Sequence, residues 1–129
     1  MVGIAMAEHM QTDLVASALH MAWCERQAPT GVLHHSDRGS QFTSDQYLDL
    51  LDAYDMTISM SRKGNCLDAA PIESFWGTLK TECATDSFET RQQARAEIFS
   101  YIMGFYNRTR RHSTLGYLSP EQFEQSFRR

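Results

Sequence analysis

The stretch that decides the fold runs from residue 32 to residue 61 and reads VLHHSDRGSQFTSDQYLDLLDAYDMTISMS. It begins with a short apolar-led run, Val32 to Ser36, which turn residues flank and which predicts a buried strand. Thr43 and Gln46 have capping-box spacing and introduce a helix with four apolar or aromatic residues on one face: Tyr47, Leu50, Leu51 and Tyr54. Thr57 to Ser61 starts with β-branched residues and predicts a second buried strand. This order of elements predicts an α/β fold with neighbouring parallel strands.

Upstream of this stretch the sequence predicts one more helix. Thr12 or Asp13 can cap a helix that continues to about Gln27, after which Pro29 acts as a breaker. Val2 to Met6 is a short apolar run that we interpret as the end of a strand.

Downstream of residue 61 three further helices are predicted. Pro71 is tolerated in a first helical turn, and it precedes four residues at helical spacing: Ile72, Phe75, Trp76 and Leu79. We interpret Trp76 as a core residue rather than a platform on which bases stack. Thr90 and Gln93 have capping-box spacing and precede a long helix that continues to about Asn107. A short last helix is marked by a cap, a first-turn proline and a capping-box glutamine: Ser119, Pro120 and Gln122.

Length and composition indicate one folded domain. The chain has 129 residues, of which 42% are hydrophobic and 11% aromatic. It contains neither an apolar run long enough to cross a bilayer nor a secretion signal, so we expect a cytoplasmic protein without membrane contact. The three cysteines, Cys24, Cys66 and Cys83, match neither a disulfide framework nor a zinc ribbon, so we expect reduced thiols.

The net charge of −4 is unevenly distributed. Residues 1–61 contain eight acidic and two basic residues, residues 62–87 four acidic and three basic, and residues 88–129 four acidic and seven basic. These segments therefore carry −6, −1 and +3. The sum argues mildly against nucleic acid as a partner, but the last segment is basic.

Two acidic residues lie where metal ligands are expected in such a fold. Asp37 follows the first predicted strand, and Glu73 lies early in the helix after the second strand, with 35 residues between them. Parallel sheets bind ligands at the carboxyl ends of their strands, and hard divalent cations take oxygen ligands. The alternative is a loop cap at Asp37 and a solvated acid at a helix start for Glu73. Lys80 follows Glu73 by nearly two helical turns and points the same way, and spacing by itself does not exclude an ordinary surface lysine.

Three segments together resemble one known family. They are HHSDRGSQFTS (residues 34–44), SMSRKGNCLDAAPIESFWGTLKTE (59–82) and FYNRTRRHSTLGYLSPEQF (105–123). In this order and spacing they are similar to the catalytic core of bacterial insertion-sequence transposases, the IS-three-like class within the retroviral-integrase superfamily. The resemblance covers nearly the whole chain. It implies DNA transposition and DNA integration through metal-dependent phosphodiester cleavage and strand transfer.

The resemblance also implies a ribonuclease H-like fold and a set of site residues. The family carries a D-D-E triad with 35 residues between its second and third acids, which Asp37 and Glu73 match. By this resemblance both are catalytic and bind metal, as a pair of Mg²⁺ or Mn²⁺ ions. Lys80 matches the basic residue that is thought to contact the DNA end two turns beyond the glutamate.

Other polar residues near these motifs have implied or competing roles. His34, His35 and Ser36 are expected to shape and pack the strand end, and a His-His-Asp transition-metal site is the competing interpretation. Six residues are further candidates for contacts to DNA phosphates: Arg62, Lys63, Arg108, Arg110, Arg111 and His112. Ordinary solvated surface charge is the alternative for each of them.

The match to the family has two gaps. Ala69 stands where the family pattern D-N-A-x-x-E has an asparagine. No residue can be assigned to the first triad aspartate, because Asp13 falls at a helix start. We therefore expect an incomplete ribonuclease H-like, integrase-type fold that lacks its first strands and ends in C-terminal helices. Residues 1–86 would form the partial core and residues 87–129 a helical extension of the same domain.

Two functions are compatible with these features. The chain is either a transposase segment or a catalytically inactive, truncated remnant that binds DNA or an intact transposase. The first function requires an upstream transposase segment or a second transposase subunit, and we expect a homo-oligomer on element ends and target DNA. Since one triad acid is unassigned, we expect the chain alone to be inactive.

Overall fold

A computed structural model describes residues 1–27, 29–62 and 70–128. The predictions for Lys63, Cys66 and Ala69 fall outside this range. The chain forms two compact units, an N-terminal unit of Val2–Glu73 and a C-terminal unit that begins at Ser74 and includes Met1.

A parallel sheet forms the centre of the N-terminal unit. Strands β1 (Leu33–Ser36) and β2 (Thr57–Met60) pair with Leu33 opposite Thr57. Helix α2 (Asp45–Ala53) lies between them in the chain, because two parallel strands need a crossover that returns the chain to the same edge. The predicted strand, helix and parallel strand are confirmed.

The prediction that both strands are buried is wrong. Leu33 is 64% exposed and Ile58 is 44% exposed. The His34 ring reaches the hydroxyl of Tyr47 in α2, so this face of β1 lies against the helix. Leu33 and His35 alternate to the opposite face, where both are exposed. A strand is fully buried only where both faces of its sheet are covered.

Two helices supply the core of the N-terminal unit. Leu19 of α1 (Thr12–Arg26) packs with Tyr47 and Leu51 of α2. Tyr47 and Leu51 are only 2% and 1% exposed, which confirms the predicted apolar face of α2. Burial of such side chains is the main stabilising contribution to so small a unit.

The predicted N-caps of these two helices are wrong by one residue or more. Gln11 precedes α1 without a capping side chain, in place of Thr12 or Asp13. Ser44 caps α2 by accepting the N–H of Tyr47 at 3.3 Å. The Thr43 hydroxyl, which was expected to cap, instead donates to the carbonyl of Gly39 at 3.3 Å. The Thr43 side chain thus forms a hydrogen bond within the loop before α2 and does not cap the helix.

The N-terminal segment is not the end of a strand. Residues 1–7 have no regular secondary structure. Gly3 lies so close to α1 that a Cβ atom there would fall 2.1 Å from the carbonyl oxygen of Ala18. The bare backbone of Gly3 therefore packs against the helix, and no larger residue fits without a shift.

The C-terminal unit consists of helices and turns. Helix α3 (Ala70–Glu82) contains the boundary between the units, and further elements follow: α4 (Arg91–Ser100), a π-helix (Tyr101–Tyr106), a 3₁₀ turn (Ser113–Leu115) and α5 (Pro120–Gln125). Phe75, Leu79 and Ile102 are its buried apolar residues. In the described part of the chain no helix is long and apolar enough to span a membrane.

The long α-helix predicted up to Asn107 is only partly correct. The α-helical hydrogen bonding ends at Ser100, and a π-helix continues to Tyr106. Gly104 has a low helix propensity, the Tyr106 ring packs against Phe75 of α3, and the Tyr101 hydroxyl donates to Glu82. π-helical geometry is rare, and the spacing of apolar residues does not distinguish it from an α-helix.

The predicted N-caps Thr90 and Ser119 are confirmed, but the capping box is complete only at Ser119, because the Gln93 side chain accepts the N–H of Glu89. The Thr90 hydroxyl accepts the N–H of Gln93 at 3.0 Å. Ser119 and Gln122 form a complete capping box at the start of α5, with Pro120 in its first turn.

The interpretation of Trp76 as a core residue is wrong. Its side chain is 50% exposed, whereas Phe75 and Leu79 are 4% and 5% exposed. The buried face of α3 therefore passes through Phe75 and Leu79, and Trp76 lies beside that face.

Candidate active site

Asp37 lies at the edge of the sheet where β1 and β2 both end. It follows Ser36 directly, and its carboxylate is exposed. The backbone N–H of Gly39 donates to its Oδ1 at 2.7 Å, which fixes the orientation of the carboxylate. A Cβ at Gly39 would lie 2.9 Å from this oxygen, so a larger residue would require the carboxylate to shift.

The loop after β1 is tied to the end of β2. Nε of Arg38 donates to the carbonyl of Ser61 at 3.1 Å, and the N–H of Ser61 donates to the carbonyl of Ser36 at 2.9 Å. These bonds bring Arg62, which is exposed, to the same edge of the sheet as Asp37.

The two histidines near Asp37, His34 and His35, form hydrogen bonds with hydroxyl groups. Nε2 of His34 lies 2.9 Å from the Tyr47 hydroxyl, and the His35 ring lies 2.9 Å from Ser59 Oγ and 3.0 Å from Ser61 Oγ. Burial lowers the pKa of His34, with a smaller effect from the charge of His35. Burial also raises the pKa of Tyr47 to about 12. These rings thus link β1 to its neighbours, as expected of residues that pack the strand end.

Glu73 and Lys80 lie on the exposed side of α3. Glu73 occupies the first turn and Lys80 the last, and both side chains are exposed. Seven residues correspond to nearly two turns, so the two side chains project in similar directions. Phe75 and Leu79 project to the buried side.

The described residues contain no cluster that forms a complete metal site. No group of three or more His, Cys, Asp and Glu side chains is gathered closely enough there to hold an ion. Cys24 and Cys83 are free thiols, as the sequence predicts.

The basic residues between positions 108 and 112 differ in their contacts with acidic side chains. Arg110 Nε lies 2.8 and 3.0 Å from the two carboxylate oxygens of Glu82. Arg108 lies 3.8 Å from Glu121 in an exposed ion pair. Arg111 is exposed. His112 pairs its backbone with Leu118, and burial, followed by the charge of Arg110, lowers its pKa.

Glu82 is a residue whose importance sequence reasoning missed. The Arg110 guanidinium is the main cause of its lowered pKa, and the Tyr101 hydroxyl also donates to it. Burial is the first cause of the raised pKa of Tyr101, followed by the bond to Glu82. Arg110 follows Glu82 by 28 residues, so no local spacing pattern could have paired them.

Comparison with known proteins identifies the family. A family model described as an integrase core domain matches residues 1–66, and a second model with the same description matches residues 73–127. The insertion element IS600 uncharacterized 31 kDa protein of Shigella sonnei is 48% identical over 124 residues, which cover 95% of this chain and 46% of that protein. Transposase InsF for insertion sequence IS3A of Escherichia coli K12 is 45% identical over 124 residues, covering 95% and 43%.

The chain spans about half the length of these curated relatives. The parallel strands that flank α2 are consistent with the ribonuclease H-like fold that an integrase core domain implies. The similarity covers both units and confirms the resemblance inferred from the three sequence segments. The chain therefore belongs to the integrase core domain family, in the form found in IS3-type insertion-sequence transposases.

Proposed function

We propose that this chain is the C-terminal part of a transposase catalytic core, which cleaves and joins DNA phosphodiesters in transposition. It acts within a longer product or beside a second transposase subunit that supplies the first triad acid, as a homo-oligomer on element ends and target DNA. Its sheet is then an incomplete ribonuclease H-like sheet. Residues 1–86 form the partial core, and residues 87–129 are its helical extension.

The observation that carries this proposal is the position of Asp37. Its carboxylate is exposed at the carboxyl ends of two parallel strands, the edge at which such sheets bind ligands. The Gly39 N–H orients one oxygen at 2.7 Å. Glu73 is an exposed carboxylate in the first turn of α3. We expect the two carboxylates to approach within reach of a shared ion.

Asp37 and Glu73 have the chemistry that Mg²⁺ or Mn²⁺ requires. Asp37 and Glu73 offer the oxygen ligands that these cations prefer, whereas His34 and His35 are bonded to hydroxyls. A bound pair of such ions supplies Lewis-acid activation and charge neutralisation at the phosphodiester.

The cationic residues position the DNA backbone in this proposal. Lys80 and Arg62 each hold a DNA phosphate, and such contacts fix the register of DNA without reading its sequence. The remaining candidates have the same role: Lys63, Arg108, Arg111, His112 and Arg110. Arg110 exchanges the Glu82 carboxylate for a phosphate if it makes this contact.

Manganese titration of the isotope-labelled chain tests the metal ligands directly. Paramagnetic Mn²⁺ at Asp37 should broaden the Gly39 amide resonance early in the titration, because that amide donates to the carboxylate. Asp37→Asn and Glu73→Gln should each weaken the broadening. Asp49→Asn, which removes an exposed acid of α2, is the matched control. Broadening that survives both site substitutions would contradict the assignment.

A chimera tests the reaction itself. This chain replaces the matching 43% of the InsF transposase, and element excision is measured in cells. Excision that Asp37→Asn or Glu73→Gln abolishes, but Asp49→Asn preserves, supports the proposal. A chimera that binds DNA and Mn²⁺ but never excises the element favours the inactive remnant.

A further inference from the structure

Trp76 presents a half-exposed aromatic face that the protein holds in a fixed orientation. The residue is 50% exposed, although a tryptophan buries a large apolar surface when it is covered. The ring of Phe75 packs against it with a centroid distance of 5.2 Å and an interplanar angle of 62°. Phe75 is itself perpendicular to Tyr106 at 5.0 Å and is 4% exposed. The indole therefore contacts a buried phenylalanine ring, which in turn makes an edge-to-face contact with Tyr106.

An exposed cation lies on the same side of α3 as the Trp76 ring. Lys80 follows it by four residues, which is one helical turn on the same side of α3, and is exposed. The buried side of α3 passes through Phe75 and Leu79 instead. Ile72, which precedes Trp76 by one turn, is 44% exposed, so the ring lies between an exposed isoleucine and the Lys80 ammonium on one side of α3.

We infer that Trp76 is a stacking platform for a nucleobase of the DNA, while Lys80 contacts an adjacent phosphate. This inference rests on the proposed function, since DNA is the substrate there. Aromatic rings stack on every base because each base has a π-face, and a nearby cation tracks the backbone. The chemistry selects an unpaired or terminal nucleotide, whose base face is open, over the interior of a duplex.

Fluorescence of the full chain in a Trp23→Phe background tests the inference, because Trp76 is then the only tryptophan. Trp23 stacks on Tyr54 at 4.5 Å within the N-terminal unit, and phenylalanine preserves an aromatic ring there. Single-stranded oligonucleotides should quench Trp76 emission, and an abasic strand of equal length and charge should quench it far less. This comparison needs no substitution at Trp76.

Substitutions then separate stacking from charge. Trp76→Ala should weaken binding of the single strand by about five- to 150-fold and leave its salt dependence unchanged. Trp76→Phe should recover most of that loss. Lys80→Gln should instead lower the slope of log affinity against log salt by about one and should leave quenching at saturation intact.

Each alternative outcome overturns the inference in a recognisable way. Salt-dependent binding of equal strength to normal and abasic strands removes the stacking role but leaves the proposed function. Emission that shifts to the blue with protein concentration, without DNA, assigns the indole to contact with a second copy. Absence of DNA binding overturns the stacking role, and the Mn²⁺ titration with its Asp37 and Glu73 variants decides separately whether the proposed metal site also fails.

Discussion

Replacement of Glu82 by glutamine removes the charge that holds the turn after the π-helix to the end of α3. The Glu82 carboxylate lies 2.8 and 3.0 Å from Arg110 Nε, and the two side chains are 34% and 26% exposed. Buried hydrogen bonds to charged groups contribute about 1.5–3 kcal/mol, and fully exposed pairs at most about 1 kcal/mol. With solvent screening of this partly exposed pair, we expect Glu82→Gln to lower the free energy of unfolding by about 1–2 kcal/mol at pH 7.

The direction of the Glu82 pKa shift determines how its contribution to stability changes with pH. Arg110 lowers the pKa of Glu82, so the carboxylate contributes stability above its ordinary pKa and loses it as the pH falls through the lowered value. The difference in the free energy of unfolding between the wild type and Glu82→Gln should therefore be largest at pH 7 and should shrink as the pH approaches 3.

Urea unfolding followed by Trp76 emission in the Trp23→Phe chain measures this difference in the C-terminal unit. Arg110→Met and the double variant complete a cycle that isolates the pair. Glu121→Gln is the control, because its ion pair with Arg108 is longer, at 3.8 Å, and more exposed. A loss no larger than that of the control, or one that does not change between pH 7 and pH 3, would refute the reasoning.

Four further outcomes are expected. Leu51→Ala should destabilise the N-terminal unit by about 2–5 kcal/mol in urea unfolding, because this side chain is 1% exposed in the core. Elemental analysis of the purified chain should find no stoichiometric zinc at His34 and His35, whose rings are bonded to hydroxyls. The 129-residue chain alone should not cleave or join DNA with Mg²⁺ or Mn²⁺, and metal-dependent cleavage that Glu73→Gln abolishes would contradict this. The chain should also self-associate through β1, whose Leu33 is 64% exposed. Ultracentrifugation measures this, and a dispersed monomer at all concentrations would contradict it.

The local features of this protein follow from its sequence. The alternation of strand and helix, the caps at Thr90 and Ser119, and the place of Asp37 at a strand end depend on residues within a few positions of each other. Propensity, hydrophobic period and capping act over this range, so the sequence predicts them directly. The same locality allowed three short segments to indicate the family.

Tertiary structure alone decided which surfaces are covered. Trp76 and Leu33 are apolar residues of the kind that usually forms cores, yet they are 50% and 64% exposed. Their burial depends on elements that are remote in the chain. The contact of Glu82 with Arg110 joins residues 28 positions apart, and no periodic pattern encodes it. A local pattern specifies the shape of an element, whereas the packing of distant side chains specifies which of its faces meets solvent.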